Sequence, residues 1–231
     1  MDRSVARVGA WAGVLSLLGI LGSHIGLQII AGQRVSGTTD AAAITTYYAH
    51  QGIASWSLAE FFVLIFMSIF VVALRETLAT TTWARFLTTV ALVAVVAELP
   101  VILVEIAAQA GLVAAATSGG EVVPLFRFWD ALYNSGAYAL EGTWVAAFGL
   151  AMRGVPAFPR WLPRFSFLTS ALLLVNETAI WVGIPDVATL PSALFLGAWF
   201  GGASYGLYRV AIARTDLHAH PDAANAASMP A

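Results

Sequence analysis

Three absences narrow the chemistry of this chain. Its 231 residues include no cysteine, which excludes disulfides, thiolate metal sites, c-type haem attachment and a thiol nucleophile. There is no lysine either. All 11 basic residues are arginine, so a retinal or pyridoxal Schiff base cannot form. Charge is the third scarcity. Charged residues make up 10% of the chain, against about 25% in soluble domains. The net charge of −2 offers no basic field to nucleic acid. What stands in place of charge is apolar: 59% of residues are hydrophobic and the mean hydropathy is +0.81. Such a composition cannot clothe a water-facing surface but suits a lipid-facing one, so the lipid bilayer is the expected partner.

Familiar membrane-enzyme patterns are missing as well. The chain lacks the Gly-x-Ser-Gly of rhomboid-like proteases, the Gly-x-Gly-Asp of intramembrane aspartyl proteases and a P-loop. The one histidine inside an apolar run is His24, too few for a haem held between helices or for a zinc site. No cofactor is expected, and no catalytic or metal-binding residue is assigned.

A bilayer core of about 30 Å needs roughly 20 apolar residues of helix. Six runs meet that length: Val8–Ala31, Ile53–Leu74, Phe86–Ala115, Phe128–Met152, Phe165–Ile184 and Leu190–Ala213. The expectation is an all-α, polytopic, six-helix transmembrane bundle over residues 1–214, followed by a disordered cytoplasmic tail, 215–231. Turn-rich breaks separate the runs, among them Ser118-Gly119-Gly120 and the Pro156, Pro159, Pro163 series. Pro100 predicts a tilt or kink in the third run. Thr39-Asp40 predicts the cap of a short helix, Ala41–His50, outside the membrane. The first apolar run is too long for a signal-peptide core and is read as a retained helix.

The arginines predict the orientation. Arg3, Arg7, Arg75, Arg85, Arg153, Arg160, Arg164, Arg209 and Arg214 share one side of such a bundle; Arg34 and Arg127 fall on the other. Arginine-rich loops stay in the cytoplasm, so both termini are expected inside. Trp11, Trp83 and Trp161 mark inner boundaries and Trp56, Trp129 and Trp181 outer ones, as an interfacial aromatic belt. Small residues recur four apart at Gly9/Gly13, Gly22/Gly26, Gly197/Gly201 and Gly202/Gly206. That spacing lets backbones approach closely. It predicts packing of spans one and six, either within one chain or against a second copy or a partner membrane protein.

Ionisable residues inside lipid are costly, and each is a site hypothesis. Glu60, Glu98, Glu141 and Glu177 lie 12 to 15 residues from an inner arginine, so all four are expected roughly 18–22 Å above that boundary in one layer. They come from four different runs. His24 and Glu105 lie slightly further out, and Asn134 and Asn176 accompany Glu141 and Glu177. The order Glu60, Arg75, Trp83, Arg85, Glu98 parallels Glu141, Arg153, Trp161, Arg164, Glu177 at an offset of about 80 residues, as a parallel repeat would. Close carboxyl groups in a low dielectric share protons or take up a cation. They also clamp helices together through hydrogen bonds when protonated.

The stretch Pro159-Arg160-Trp161-Leu162-Pro163-Arg164-Phe165 is similar to the Leu-Pro-Arg-Trp-Leu turn found before a span in small bacterial membrane proteins, with its dipeptides shuffled. In that turn and in hydrophobic layout, the chain resembles the six-span bacterial membrane proteins classed as domains of unknown function. The resemblance implies a multi-pass protein of the bacterial cytoplasmic (inner) membrane and carries no activity with it. The functional expectation is binding or passage of a proton, small cation or small solute at Glu60, Glu98, Glu141 and Glu177, with Glu105, His24, Asn134 and Asn176 as partners. The alternatives are an accessory subunit docking another membrane protein, and a membrane enzyme acting on a lipid or quinone. A non-enzymatic role is favoured, because no catalytic motif is present.

Overall fold

A computed structural model describes residues 3–32, 35, 37–133, 137–182 and 189–213. Among these the fold is all-α. The helices are α1 (Arg3–Leu21), α2 (Leu27–Ala31), α3 (Ala41–Tyr48), α4 (Gln51–Leu78), α5 (Thr82–Ser118), α6 (Val123–Tyr133), α7 (Ala137–Ala151), α8 (Leu162–Trp181) and α9 (Thr189–Ile212). A π-helical turn, Gly22–Gly26, joins α1 to α2. The ends of the helices follow from local chemistry. Asp40 accepts from the backbone N–H groups of Ala42 (2.9 Å) and Ala43 (3.3 Å) and starts α3. The His50 ring nitrogen accepts from Gly52 N–H at 3.1 Å to start α4, and Thr81 accepts from Ala84 N–H at 3.1 Å to start α5. Helix α5 continues through Pro100 for 37 residues, about 55 Å of helix. It stops at Gly119, whose φ of 78° the backbone adopts without a Cβ penalty.

The six-span expectation is corrected here. Among the described residues three helices are long and apolar enough to cross a bilayer: Arg3–Leu21, the Ala59–Leu78 part of α4, and α5. The fourth apolar run is divided between α6 and α7, of 11 and 15 residues, each shorter than the roughly 20 that a crossing needs. Helices α8 and α9 have 20 and 24 residues, but polar side chains dilute them. Arg164, Asn176 and Glu177 lie in α8; Ser192, Ser204, Tyr205 and Tyr208 lie in α9. A count of apolar residues in a run does not weigh such side chains. The predicted tail, residues 215–231, lies outside the described residues.

The longer helices close a ring. Helix α1 packs on α4, α4 on α5, α5 on α7, α7 on α8, α8 on α9, and α9 returns to α1. Inside the ring lies an aromatic core of Phe70, Trp144, Phe148, Trp199 and Phe200, each wholly buried. The rings of Trp144 and Trp199 meet edge to face with centroids 5.3 Å apart. A second cluster at one end gathers Ile44 and Tyr48 of α3, Leu112 of α5, and Phe126 and Trp129 of α6. The outer surface is also apolar. Ile29 is 79% exposed and Trp181 71%, and Trp11, Val93 and Phe86 stand out as well. A coat of this kind marks a surface that meets lipid, so the protein is helical, apolar and membrane-associated.

The repeated glycines serve this ring. A Cβ on Gly9 would overlap Ala73 of α4, and one on Gly13 would overlap Phe70 and Ser204. Gly202 faces Trp161 and Leu162, and Gly206 faces the Phe158 ring. The chain's own side chains therefore fill the glycine faces of α1 and α9. Of the expected alternatives, packing within the chain is seen at Gly9, Gly13, Gly202 and Gly206, while a Cβ on Gly26 would meet open space. One consequence is measurable. Gly206→Ala drives a methyl into Phe158, which is 3% exposed and boxed in, and is expected to cost roughly 1–3 kcal/mol. Gly201→Ala meets Leu17 at an ordinary 3.6 Å and is expected to be tolerated. Thermal unfolding in detergent compares the two; equal melting points would contradict this packing.

Candidate functional site

Four glutamates were the expected layer, and the structure distributes them among separate partners. Glu60 is half-buried on α4. Its Oε1 accepts from Trp56 Nε1 at 2.9 Å, one helical turn earlier, and its Oε2 accepts from Gln109 Nε2 of α5 at 3.0 Å. This carboxyl group therefore joins α4 to α5. Glu177 is buried on α8, and its Oε1 accepts from Trp181 Nε1 at 2.6 Å, one turn later.

Glu98 has a different setting. It is wholly buried on α5, and its Oε2 accepts from Trp144 Nε1 of α7 at 2.7 Å. The other oxygen, Oε1, is buried with no N–H or hydroxyl donor. The carboxyl group of Glu141 is close enough to interact with that of Glu98. Glu141 and Trp144 are three residues apart on α7, hence on one helix face, and both address Glu98. Glu177 is near enough to act on Glu141 electrostatically. The close approach of α7 and α8 explains that. A Cβ on Gly142 would lie 3.2 Å from the Ser170 carbonyl oxygen, and one on Gly149 would overlap Ser166.

The remaining expected residues fall as follows. Asn176 is wholly buried beside Glu177, and neither end of its side-chain amide finds a partner among the described residues. Glu105 is half-buried on α5, two turns beyond Glu98. His24 lies on the π-helical turn, but its side chain lies outside the described residues, as does Asn134. Among the described residues, no three of His, Asp and Glu are grouped to hold a metal ion. Glu98 and Glu141 thus lie near each other with Glu177 acting on Glu141, and Glu60 bonds to Trp56 and Gln109.

Sequence reasoning missed the tryptophans. Trp56 and Trp181 had been placed at the membrane boundary, and Trp144 had no role, yet each donates its indole N–H to a glutamate. Part of the signal was present: Trp56/Glu60 and Glu177/Trp181 stand four apart, the spacing at which helix side chains meet. Gln109 carried no such signal, because its partner comes from another helix.

Two carboxyl groups can hydrogen-bond to each other only through a proton held between them. A buried indole donor fixes one of the two in place. This arrangement is equipped to hold a proton.

An all-α, membrane-associated protein with a wholly buried glutamate, Glu98, near a second, Glu141, is the class that fold and site define. Comparison with family models, with curated proteins and with solved structures returns no match for this chain.

Proposed function

We propose that the protein binds and passes a proton at the Glu98–Glu141 pair. The observation that carries this reading is the meeting of two carboxyl groups from α5 and α7 inside the helix ring. Trp144 holds Glu98 in place, and the proton is exchanged between the Glu98 and Glu141 carboxyl groups. Glu177 is the next carboxyl group, and Trp181 ties it to the end of α8. Glu60, bonded to Trp56 and Gln109, is a clamp between α4 and α5 in this scheme. Asn176, buried and unpartnered, supplies a donor and an acceptor at the same level of α8, which suits a water molecule between carboxyl groups.

Infrared spectroscopy of the purified protein tests this. A protonated carboxyl C=O band is expected, shifting in D₂O and changing as pH is taken through neutrality. Glu98→Gln and Glu141→Gln are each expected to remove or shift that band and to abolish proton uptake into proteoliposomes under a membrane potential. Glu60→Gln is expected to leave both intact. Proton uptake that survives both pair substitutions, or a band indifferent to pH and D₂O, would overturn the proposal and leave the pair as a structural clamp.

A further inference from the structure

Outside the helix ring, the connection from α7 into α8 carries Arg153, Arg160 and Arg164, each exposed. No carboxylate stands between residues 142 and 176 of the chain. Two of the three arginines gather at one aromatic ring. The Arg153 guanidinium lies over Phe167, 5.1 Å from the ring centroid. Arg164 precedes Phe167 by three residues on α8, so their Cβ atoms stand about 5–6 Å apart on one helix face. Two like charges thus share one exposed patch, and neither guanidinium has a carboxylate or another hydrogen-bond acceptor among the described residues. We infer that this patch and the adjoining outer face of α8 bind a phospholipid with a net negative headgroup.

Charge and shape together select this ligand. A guanidinium fork matches two oxygens of a phosphate, and a second positive charge beside it strengthens the attraction. A zwitterionic headgroup brings an ammonium group into a patch that is already doubly positive, whereas an anionic headgroup does not. The acyl chains have a surface as well. Phe167, Leu168, Ala171 and Val175 follow Arg164 at spacings of three, four, seven and eleven, which places them along one stripe of the helix. All four are exposed, Leu168 at 55% and Val175 at 61%. The arginines stand at one end of this stripe and the apolar side chains run away from them, in the order in which a phospholipid presents headgroup and chains. A soluble acidic partner would match the arginines alone and leave the stripe uncovered.

Native mass spectrometry of the full chain in a maltoside detergent tests the inference, with titrations of phosphatidylglycerol and of phosphatidylcholine carrying the same acyl chains. One arginine beside an anionic lipid surface contributes about fivefold in affinity, and two together about thirtyfold. Phosphatidylglycerol is therefore expected to bind about thirtyfold more tightly than phosphatidylcholine. The double variant Arg153→Gln/Arg164→Gln is expected to bind the two lipids alike. Both side chains are exposed, so the fold is expected to survive. Arg127→Gln, an exposed position on α6, is the control and is expected to leave the preference unchanged. Glycerophosphoglycerol, the same headgroup without chains, is expected not to displace the lipid. Equal binding of the two lipids by the unaltered protein would overturn the inference. So would a preference that survives the double variant or falls equally in Arg127→Gln, and so would full displacement by glycerophosphoglycerol. The proton reading at Glu98 and Glu141 is independent of every one of these outcomes.

Discussion

Glu98→Leu is expected to destabilise the protein by roughly 3–5 kcal/mol, and adding Glu141→Leu to that variant is expected to cost little more. Glu98 makes two buried interactions: it accepts from Trp144 and faces Glu141. Its loss leaves an indole N–H without a partner, at about 1–3 kcal/mol, and removes a hydrogen bond between carboxyl groups worth a similar amount. It also leaves Glu141 facing an apolar side chain. Glu141→Leu alone removes only the second interaction, and its expected cost is roughly 1.5–3 kcal/mol. The double variant loses the same two interactions as Glu98→Leu and no third. The two substitutions should therefore be strongly sub-additive, with a coupling of roughly 1.5–3 kcal/mol. Unfolding of the four proteins in mixed micelles measures this cycle. Additive losses would show that the two carboxyl groups do not meet, and would remove the basis of the proton reading with them.

Trp199→Ala is expected to cost roughly 3 kcal/mol, the low end of the range for such truncations. Trp199 is wholly buried among Phe70, Trp144, Phe148 and Phe200, and its Nε1 donates to Ser166 Oγ at 2.8 Å. In a bundle embedded in lipid, packing side chains between helices takes nothing out of water. The loss is therefore one of dispersion contacts and of the cavity left behind, which places it at the low end. Trp199→Phe keeps most of those contacts and gives up the hydrogen bond, for an expected cost of about 1 kcal/mol. Ser166 is shared with another interaction, since its hydroxyl donates to the Leu162 carbonyl oxygen at 2.8 Å. The exposed Trp83 is the control: Trp83→Ala should change stability by less than about 0.5 kcal/mol. If Trp199→Ala melted together with Trp83→Ala, the aromatic core would not hold the ring closed.

These two expectations rest on residues that the sequence presented in very different ways. The glutamates were conspicuous, because a carboxyl group in an apolar run is costly wherever it points. Their helices were legible too, as was the Asp40 cap of α3. Depth along a helix could be counted from the arginines, and that count places Glu60, Glu98, Glu141 and Glu177 at similar heights. It could not place them around the ring. Height and azimuth are separate coordinates, and four groups at one height can face four different ways; Glu60 turns to Trp56 and Gln109, while Glu98 turns to Glu141. The span count failed for a related reason. Apolar length was visible, but the division of the fourth run into α6 and α7 and the polar content of α8 and α9 had been averaged over.

By itself, then, the amino-acid sequence determined the solvent this protein prefers, its all-α character and the identity of its buried ionisable groups. Each depends on composition or on spacing along one helix, and both are local quantities. Tertiary structure alone decided which carboxyl groups lie near each other, that the indoles of Trp144 and Trp199 are buried donors, and that glycines of α1 and α9 pack within the chain. Those are contacts between residues as far apart as Glu98 and Trp144 or Gly13 and Ser204. They follow from the order in which the helices pack around the ring, and no periodicity within a single helix encodes that order.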